Sequence, residues 1–185
     1  MADKNSYGLR VKLSAKDVIE QCFLVLGKRR SAKFVLGGDI KSCFDQISHD
    51  WLLKNIPMDK LVLKKFLKAD FMETGISQGG IISLCLTLIT LSGLENELRS
   101  KFAKIISQEI INFISYADDF VITADNVDLL NNKVIPINEE FIAERGLELS
   151  KEKSQIIHIS DGVDFLGFNI RKYSNDKLII KPATE

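Results

Sequence analysis

Apolar residues recur along this chain in two rhythms. Val18, Cys22, Val25 and Leu26 return at helical spacing. Ser14, with Asp17 three positions later, forms a capping-box-like start. The pattern predicts a helix running to about Lys28, followed by a basic turn over residues 28–33. Residues 34–40 ("FVLGGDI") are an apolar run closing on an acid, which reads as a buried strand. Short helices are expected over 49–56 and 59–71, split by Pro57. A long helix is expected over 81–104, apolar nearly all round in its first half and amphipathic in its second.

The second half of the chain alternates differently. Two strands, 110–116 and 120–124, flank Ala117, Asp118 and Asp119. Val127, Leu130, Val134, Ile137 and Phe141 then keep a 3-4-3-4 spacing until Gly146, with Pro136 inside predicting a kink. Further strands are expected at 155–159, 165–170 and 178–180. The order is strand, helix, hairpin, helix, strand. It predicts an α+β fold of the ferredoxin-like split βαβ type, with an antiparallel sheet and helices packed on one face. In that topology the first strand lies beside the central hairpin, so Asp39 can meet Asp118 and Asp119.

Composition narrows the function. The chain has 185 residues, 45% hydrophobic and 27% charged, a globular balance with room for a real core. Lys+Arg and Asp+Glu are 25 each. That neutrality argues against unaided electrostatic capture of nucleic acid; any such role rests on a local patch or on other segments. Cys22, Cys43 and Cys85 are scattered and odd in number, so a disulfide framework or zinc knuckle is not expected. The N-terminus lacks the apolar core of a secretion signal. The most apolar stretch, 81–94, is interrupted by Ser, Thr and Gly, so no membrane span is expected. The expectation is a cytoplasmic protein.

The adjacent pair Asp118 and Asp119 sits between two apolar runs. Like charges there are costly unless solvated in a turn or neutralised by a cation. With Asp39 added, three carboxylates would raise one another's pKa. Mg²⁺ suits them: it is hard, prefers oxygen, and is commonly held by one or two carboxylates plus substrate phosphates. Two such ions about 4 Å apart clamp an in-line phosphoryl displacement.

Five blocks, "GDIKSCFDQISHDWLL", "SQGGIIS", "YADD", "GLELSKEKSQIIHI" and "DFLGFNIRKY", together resemble the reverse transcriptases of bacterial group II introns, the intron-encoded maturases. The resemblance runs in order from about Tyr7 to Pro182. It implies RNA-directed DNA synthesis by two-metal nucleotidyl transfer, with two Mg²⁺ ions, or Mn²⁺ in their place. It implies an RNA template, a DNA primer and a deoxynucleoside triphosphate as partners, intron RNA in a full-length relative, and no membrane. It implies metal contacts at Asp39, Ile40 (through its carbonyl), Asp118 and Asp119, with catalytic assistance from Lys153. Phe44 would be the steric gate under the incoming sugar, and Gln78, Gly79 and Gly80 would lie beside the nascent base pair. Phe165, Leu166, Gly167 and Phe168 would support the primer end. Asp45, Ile47 and His49 continue the pattern as structural residues.

On that reading residues 1–32 are the tail of a fingers region, 33–160 the palm and 161–185 a primer-grip-like hairpin. Missing fingers and thumb, or a partner chain supplying them, would account for the neutral total. The sequence also departs from the family pattern. "YGLRVKLS" stands for YGFRPGRS, Leu88 and Thr90 replace the usual Asn and Tyr, and the loop before Gly75 is short. A truncated, inactive remnant that binds RNA or a partner protein is therefore the alternative. A nucleotidyl cyclase, suggested by Gly37, Gly38 and Asp39, stands further off because Ile40 and Lys41 replace the expected Glu and Phe.

Overall fold

The computed structural model describes residues 3–68, 73–103 and 111–183. Its centre is a four-stranded antiparallel sheet in the order β2-β3-β1-β4. The strands are β1 (Phe34–Asp39), β2 (Asn112–Tyr116), β3 (Asp119–Ala124) and β4 (Gln155–His158). This is the expected split βαβ order, with the hairpin beside the first strand. Each strand alternates apolar residues between two faces. Leu36, Phe113, Phe120 and Ile122 point into one core, and Val35, Ile114 and Val121 into another.

The first core is covered by the main helical layer. Helices α2 (Cys43–Gln46), α3 (His49–Asn55), α4 (Lys60–Lys68), α5 (Ile81–Leu91) and α6 (Leu94–Ala103) supply Ile47, Leu52, Leu63, Leu86 and Leu98, all fully buried. Each such side chain contributes about 1.5–3 kcal/mol by leaving water. The opposite face is covered as well. There α1 (Ala15–Leu26) packs Val18, Cys22 and Leu26 beside a three-stranded sheet of β5 (Val163–Phe165), β6 (Phe168–Lys172) and β7 (Leu178–Pro182). At the start of α1 the Asp17 carboxylate accepts from the Ser14 N–H and hydroxyl, each at 2.7 Å.

Four elements differ from the expectation, each for a local reason. The expected strand 165–170 is a hairpin, β5 and β6, because Leu166 and Gly167 both take positive φ (50° and 78°). Two left-handed residues in a row make the tight turn whose twist suits paired strands. The expected helix 81–104 breaks after Leu91; its end at Lys104 lies outside the described residues, as do Ile110 of the expected strand 110–116 and the end of the expected helix 59–71. The break has a long-range cause. Gly93 has φ 105°, and the carboxylate of Asp3 accepts from the N–H groups of Gly93 (2.8 Å) and Glu95 (3.1 Å), capping α6. Ile81–Phe102 has the length and mean hydropathy (1.4) of a membrane span, but the chain folds it as two helices around this cap, with Leu86, Leu94, Leu98 and Phe102 in the core.

The helix around Pro136 is α7 (Val127–Leu129), a π-helical turn (Leu130–Val134) and α8 (Ile135–Ala143). A proline lacks the N–H that an α-helix needs and crowds the carbonyl four residues back. The wider turn directly before it absorbs that misfit. The fourth difference is at the N-terminal segment. Tyr7 N–H donates to Ser115 O (2.9 Å) and Ser115 N–H to Asn5 O (3.0 Å), so this segment lies parallel against the edge of β2.

Candidate active site

Three carboxylates meet at one end of the central sheet. Asp39 ends β1 directly opposite Asp119, the first residue of β3. Asp118 precedes it in a two-residue turn, where Tyr116 pairs with Asp119. The Ile40 N–H donates to the Asp118 carbonyl at 3.3 Å, tying the turn to the exit of β1. Ala117, the other turn residue, has φ 55°. A left-handed alanine costs about 1–2 kcal/mol. The turn is also wedged from outside: a Cβ on Gly8 would lie 2.0 Å from Ala117 N. The backbone of the N-terminal segment therefore fits against the turn with no room for a side chain.

The electrostatics follow from crowding. Burial, then the charges of Asp118 and Asp39, push the Asp119 carboxyl up to about 6. Burial raises Asp118 too, with Asp39 adding to the shift. The Lys153 ammonium lowers both. It lies 3.1 Å from Asp39 Oδ2, and hydrogen bonding to Asp39 in turn raises its own pKa. Lys153 is largely exposed and Asp39 largely covered (70% and 15% side-chain exposure), so the cation reaches in from solvent. It is held by the turn after Leu149: Ser150 N–H donates to Asp39 O at 2.8 Å, and Lys153 N–H to Ser150 O at 3.2 Å.

The site has excess negative charge and oxygen donors only, which suits a hard divalent cation. Among the described residues no group of three or more Asp, Glu, His or Cys side chains is arranged to hold a metal ion by itself. Mg²⁺ is commonly held by one or two carboxylates, with substrate phosphates completing its shell. A cavity of about 500 Å³ opens beside Asp39, lined by the cations Lys41, Lys151 and Lys153 and also by Glu148 and Glu152. Sequence reading missed Lys41 and Lys151. The signal for Lys41 was its spacing of two from Asp39, which puts both on one side of an extended exit.

The other candidate residues divide into two groups. Phe44 follows the triad on α2, half-buried against the core. The neighbouring Cys43 thiol is pushed up to about 12 by burial, and also feels Asp118 and Asp39. The segment before the Gln78 loop is stitched to α2: Ile76 N–H donates to Phe44 O (2.7 Å) and Gly75 N–H to Ile47 O (2.8 Å). Gly75 has φ 82°, and a Cβ there would meet Asp45 O at 2.6 Å. His49 Nε2 donates to Gly75 O at 2.6 Å, the structural part expected of it. Gln78 and Gly79 are thereby presented exposed, with Gly80 at the start of α5. Phe165, Leu166, Gly167 and Phe168 form the β5–β6 turn in the second sheet, with Phe165 in the second core and Leu166 against it. They do not join the carboxylate cluster.

Comparison with known proteins decides the family. The profile of the reverse transcriptase (RNA-dependent DNA polymerase) family matches residues 2–170. The chain belongs to the reverse transcriptase family. Among its relatives, the group II intron-encoded protein LtrA of Lactococcus lactis subsp. cremoris is 26% identical over 237 aligned residues, covering 90% of this chain and 39% of LtrA. The alignment is longer than the chain itself, so LtrA carries stretches within the aligned region that this chain lacks. The Escherichia coli K12 protein YkfC is 26% identical over 91% of this chain and 56% of YkfC. The putative COX1/OXI3 intron 2 protein of Saccharomyces cerevisiae is 23% identical over 90% of this chain and 27% of its own length.

The fold has solved counterparts. Telomerase from Candida albicans, in complex with a TWJ fragment of telomeric RNA, superposes with a TM-score of 0.63 at 16% identity, covering 98% of this chain and 35% of that one. Apo telomerase from Candida tropicalis, truncated from its C-terminal domain, gives 0.65 at 16%, covering 97% and 41%. At this identity they establish a shared polymerase-palm fold. This chain spans between about a quarter and just over half of the length of these relatives.

Proposed function

We propose that this chain is the palm of an RNA-directed DNA polymerase of the group II intron type, extending a DNA primer on an RNA template from deoxynucleoside triphosphates. The observation that carries it is the pairing of Asp39 with Asp119 beside the Asp118 turn. It is a carboxylate cluster at one end of the two central strands, with excess charge and an open cavity next to it. Asp39, Asp118 and Asp119, with the Ile40 carbonyl, would hold two Mg²⁺ ions. Bound there, such ions would acidify a primer hydroxyl and offset the charge of departing pyrophosphate.

The chain's own residues do the rest. Lys153 sits at the cavity with its ammonium on Asp39 and supplies positive charge, or a proton, to a leaving phosphate. Lys41 and Lys151 line the same cavity and suit the outer phosphates of a triphosphate. The Phe44 ring, fixed in α2 by its backbone bond to Ile76, excludes a ribose 2′-hydroxyl. Gln78 and Gly79 are exposed where a nascent base pair would need close backbone approach. The β5–β6 turn would carry the primer end as a rigid hairpin. RNA template, primer, and intron RNA in a longer relative are its proposed partners.

The test is primer extension on an RNA template with Mg²⁺ and labelled deoxynucleotides, beside the Asp118→Asn protein. Extension by the parent and none by the folded variant is the expected result. Equal extension by both would sink the assignment. No extension by either, from folded protein, would turn the reading toward a palm that binds RNA without copying it.

A further inference from the structure

A second polar pocket lies at the opposite end of the central sheet. It occupies about 420 Å³ between the basic turn after α1, the end of β4 and the β6–β7 turn. The resemblance gave these basic residues no role, and the carboxylate site does not use them.

The pocket is built, and a buried lysine builds it. Lys172 on β6 donates from Nζ to the Lys28 carbonyl (2.7 Å) and to Ser31 Oγ (2.9 Å). Its backbone N–H donates to Ile159 O (3.0 Å), and Ile159 N–H donates to Lys33 O (2.8 Å). Three separate segments are thus locked into one wall. Lys172 spends its donors inside the protein, fixing the turn that displays Arg29 and Lys33.

Arg29 and Lys33 are exposed, and neither has an ion-pair partner among the described residues. Among the described residues Asp176 is the one carboxylate lining the pocket, and it lies 3.8 Å from Lys172. His158 and Ser160, joined at 2.6 Å, add polar atoms to the wall. Beside them Tyr173 exposes its ring, with Arg171 5.1 Å from its centroid. Two cations without ion-pair partners, hydroxyls and a partly exposed tyrosine ring match an oligonucleotide: phosphate for the cations, a base for the ring. In a chain with no net charge, this concentration of cations is local.

We propose that this pocket binds a phosphodiester group of a single RNA strand outside the reaction centre. The arrangement is independent of whether the carboxylates catalyse anything. A strand held here would neutralise Arg29 and Lys33 and release counterions, so binding would weaken as salt rises.

The experiment uses the whole chain, isotopically labelled, and an oligouridine about 12 nucleotides long. RNA is expected to shift the backbone amide signals of Ser31, Ser160 and Ser174. The double variant Arg29→Ala/Lys33→Ala should bind about tenfold more weakly, with the slope of log affinity against log salt reduced by about 1.4. Arg29→Lys/Lys33→Arg should restore the slope, and Lys54→Ala, which removes an exposed cation on α3 that lines neither cavity, should bind like the parent. An unchanged slope in the alanine variant would overturn the proposal. So would a saturable response of the same amides to inorganic phosphate with no response to RNA, which would mean a free-anion site.

Discussion

Asp39 and Asp119 stand directly across the β1–β3 ladder, where burial and the neighbouring carboxylates push the Asp119 carboxyl up to about 6. An acid whose folded pKa is raised binds protons more tightly folded than unfolded. Its stabilising share is complete below the unfolded value of about 3.9 and is lost as pH rises through 6. Asp118 shifts in the same direction. The metal-free protein should therefore melt at a falling temperature between pH 4 and 6. Mg²⁺ should raise the melting temperature at pH 7 and leave it unchanged at pH 4. Asp119→Asn should flatten the pH profile; a parent-like slope in that variant would place the titration elsewhere.

Phe44 combines a half-buried ring with a backbone bond to Ile76. Phe44→Val should keep the helix, cost about 1–3 kcal/mol through lost packing, and let ribonucleotides in. Incorporation of ribo- against deoxynucleotide by the folded variant is the readout. Unchanged discrimination would leave Phe44 as a packing residue alone.

Gly8→Ala drives a methyl into the backbone of Ala117. Backbone cannot step aside as a side chain can, so the segment or the turn must move. A loss of about 1–3 kcal/mol is expected in urea denaturation, with a fall in extension rate larger than the same loss elsewhere would cause. Ser6→Ala, two positions earlier, is the control. If Gly8→Ala keeps parent activity, the turn does not depend on this contact.

Asp3→Ala removes an acceptor for two N–H groups at the start of α6. The cost should be about 1–2 kcal/mol in urea denaturation, with Asp3→Asn falling between the variant and the parent. Stability equal to the parent in the alanine variant would mean that Glu95 and Gly93 find other partners.

What the sequence made legible is local and periodic. The apolar runs of β1, β2 and β3 and the order of elements were enough for the sheet, and the sheet places Asp39 beside Asp119. Pro136 marked where the helix would change register, although not that a π-helical turn would take up the change. Features set by distant contacts were hidden. Nothing near Gly93 announces that Asp3 will cap α6, because the apolar run continues through it. Leu166 was read within a strand because alternation passes unbroken across a turn that only its φ reveals. Residues 5–7 have no strand pattern; their pairing with β2 runs through backbone atoms. Arg29 and Lys33 are candidates for RNA contact in the sequence, where a solvated basic turn is the better reading; that Lys172, far along the chain, anchors the turn is visible only in the fold.

Strand β1 touches both places where this molecule would meet nucleic acid. Lys33, just before it, borders the basic pocket, and Asp39 ends it at the carboxylates. Six extended residues bonded to neighbours on both sides form a ruler of about 17 Å. Stacked nucleotides advance about 3.4 Å each, so a stacked strand reaching from one site to the other needs about five. Oligonucleotides too short to reach would occupy one end at a time, and affinity should step upward once the strand is long enough to bridge them.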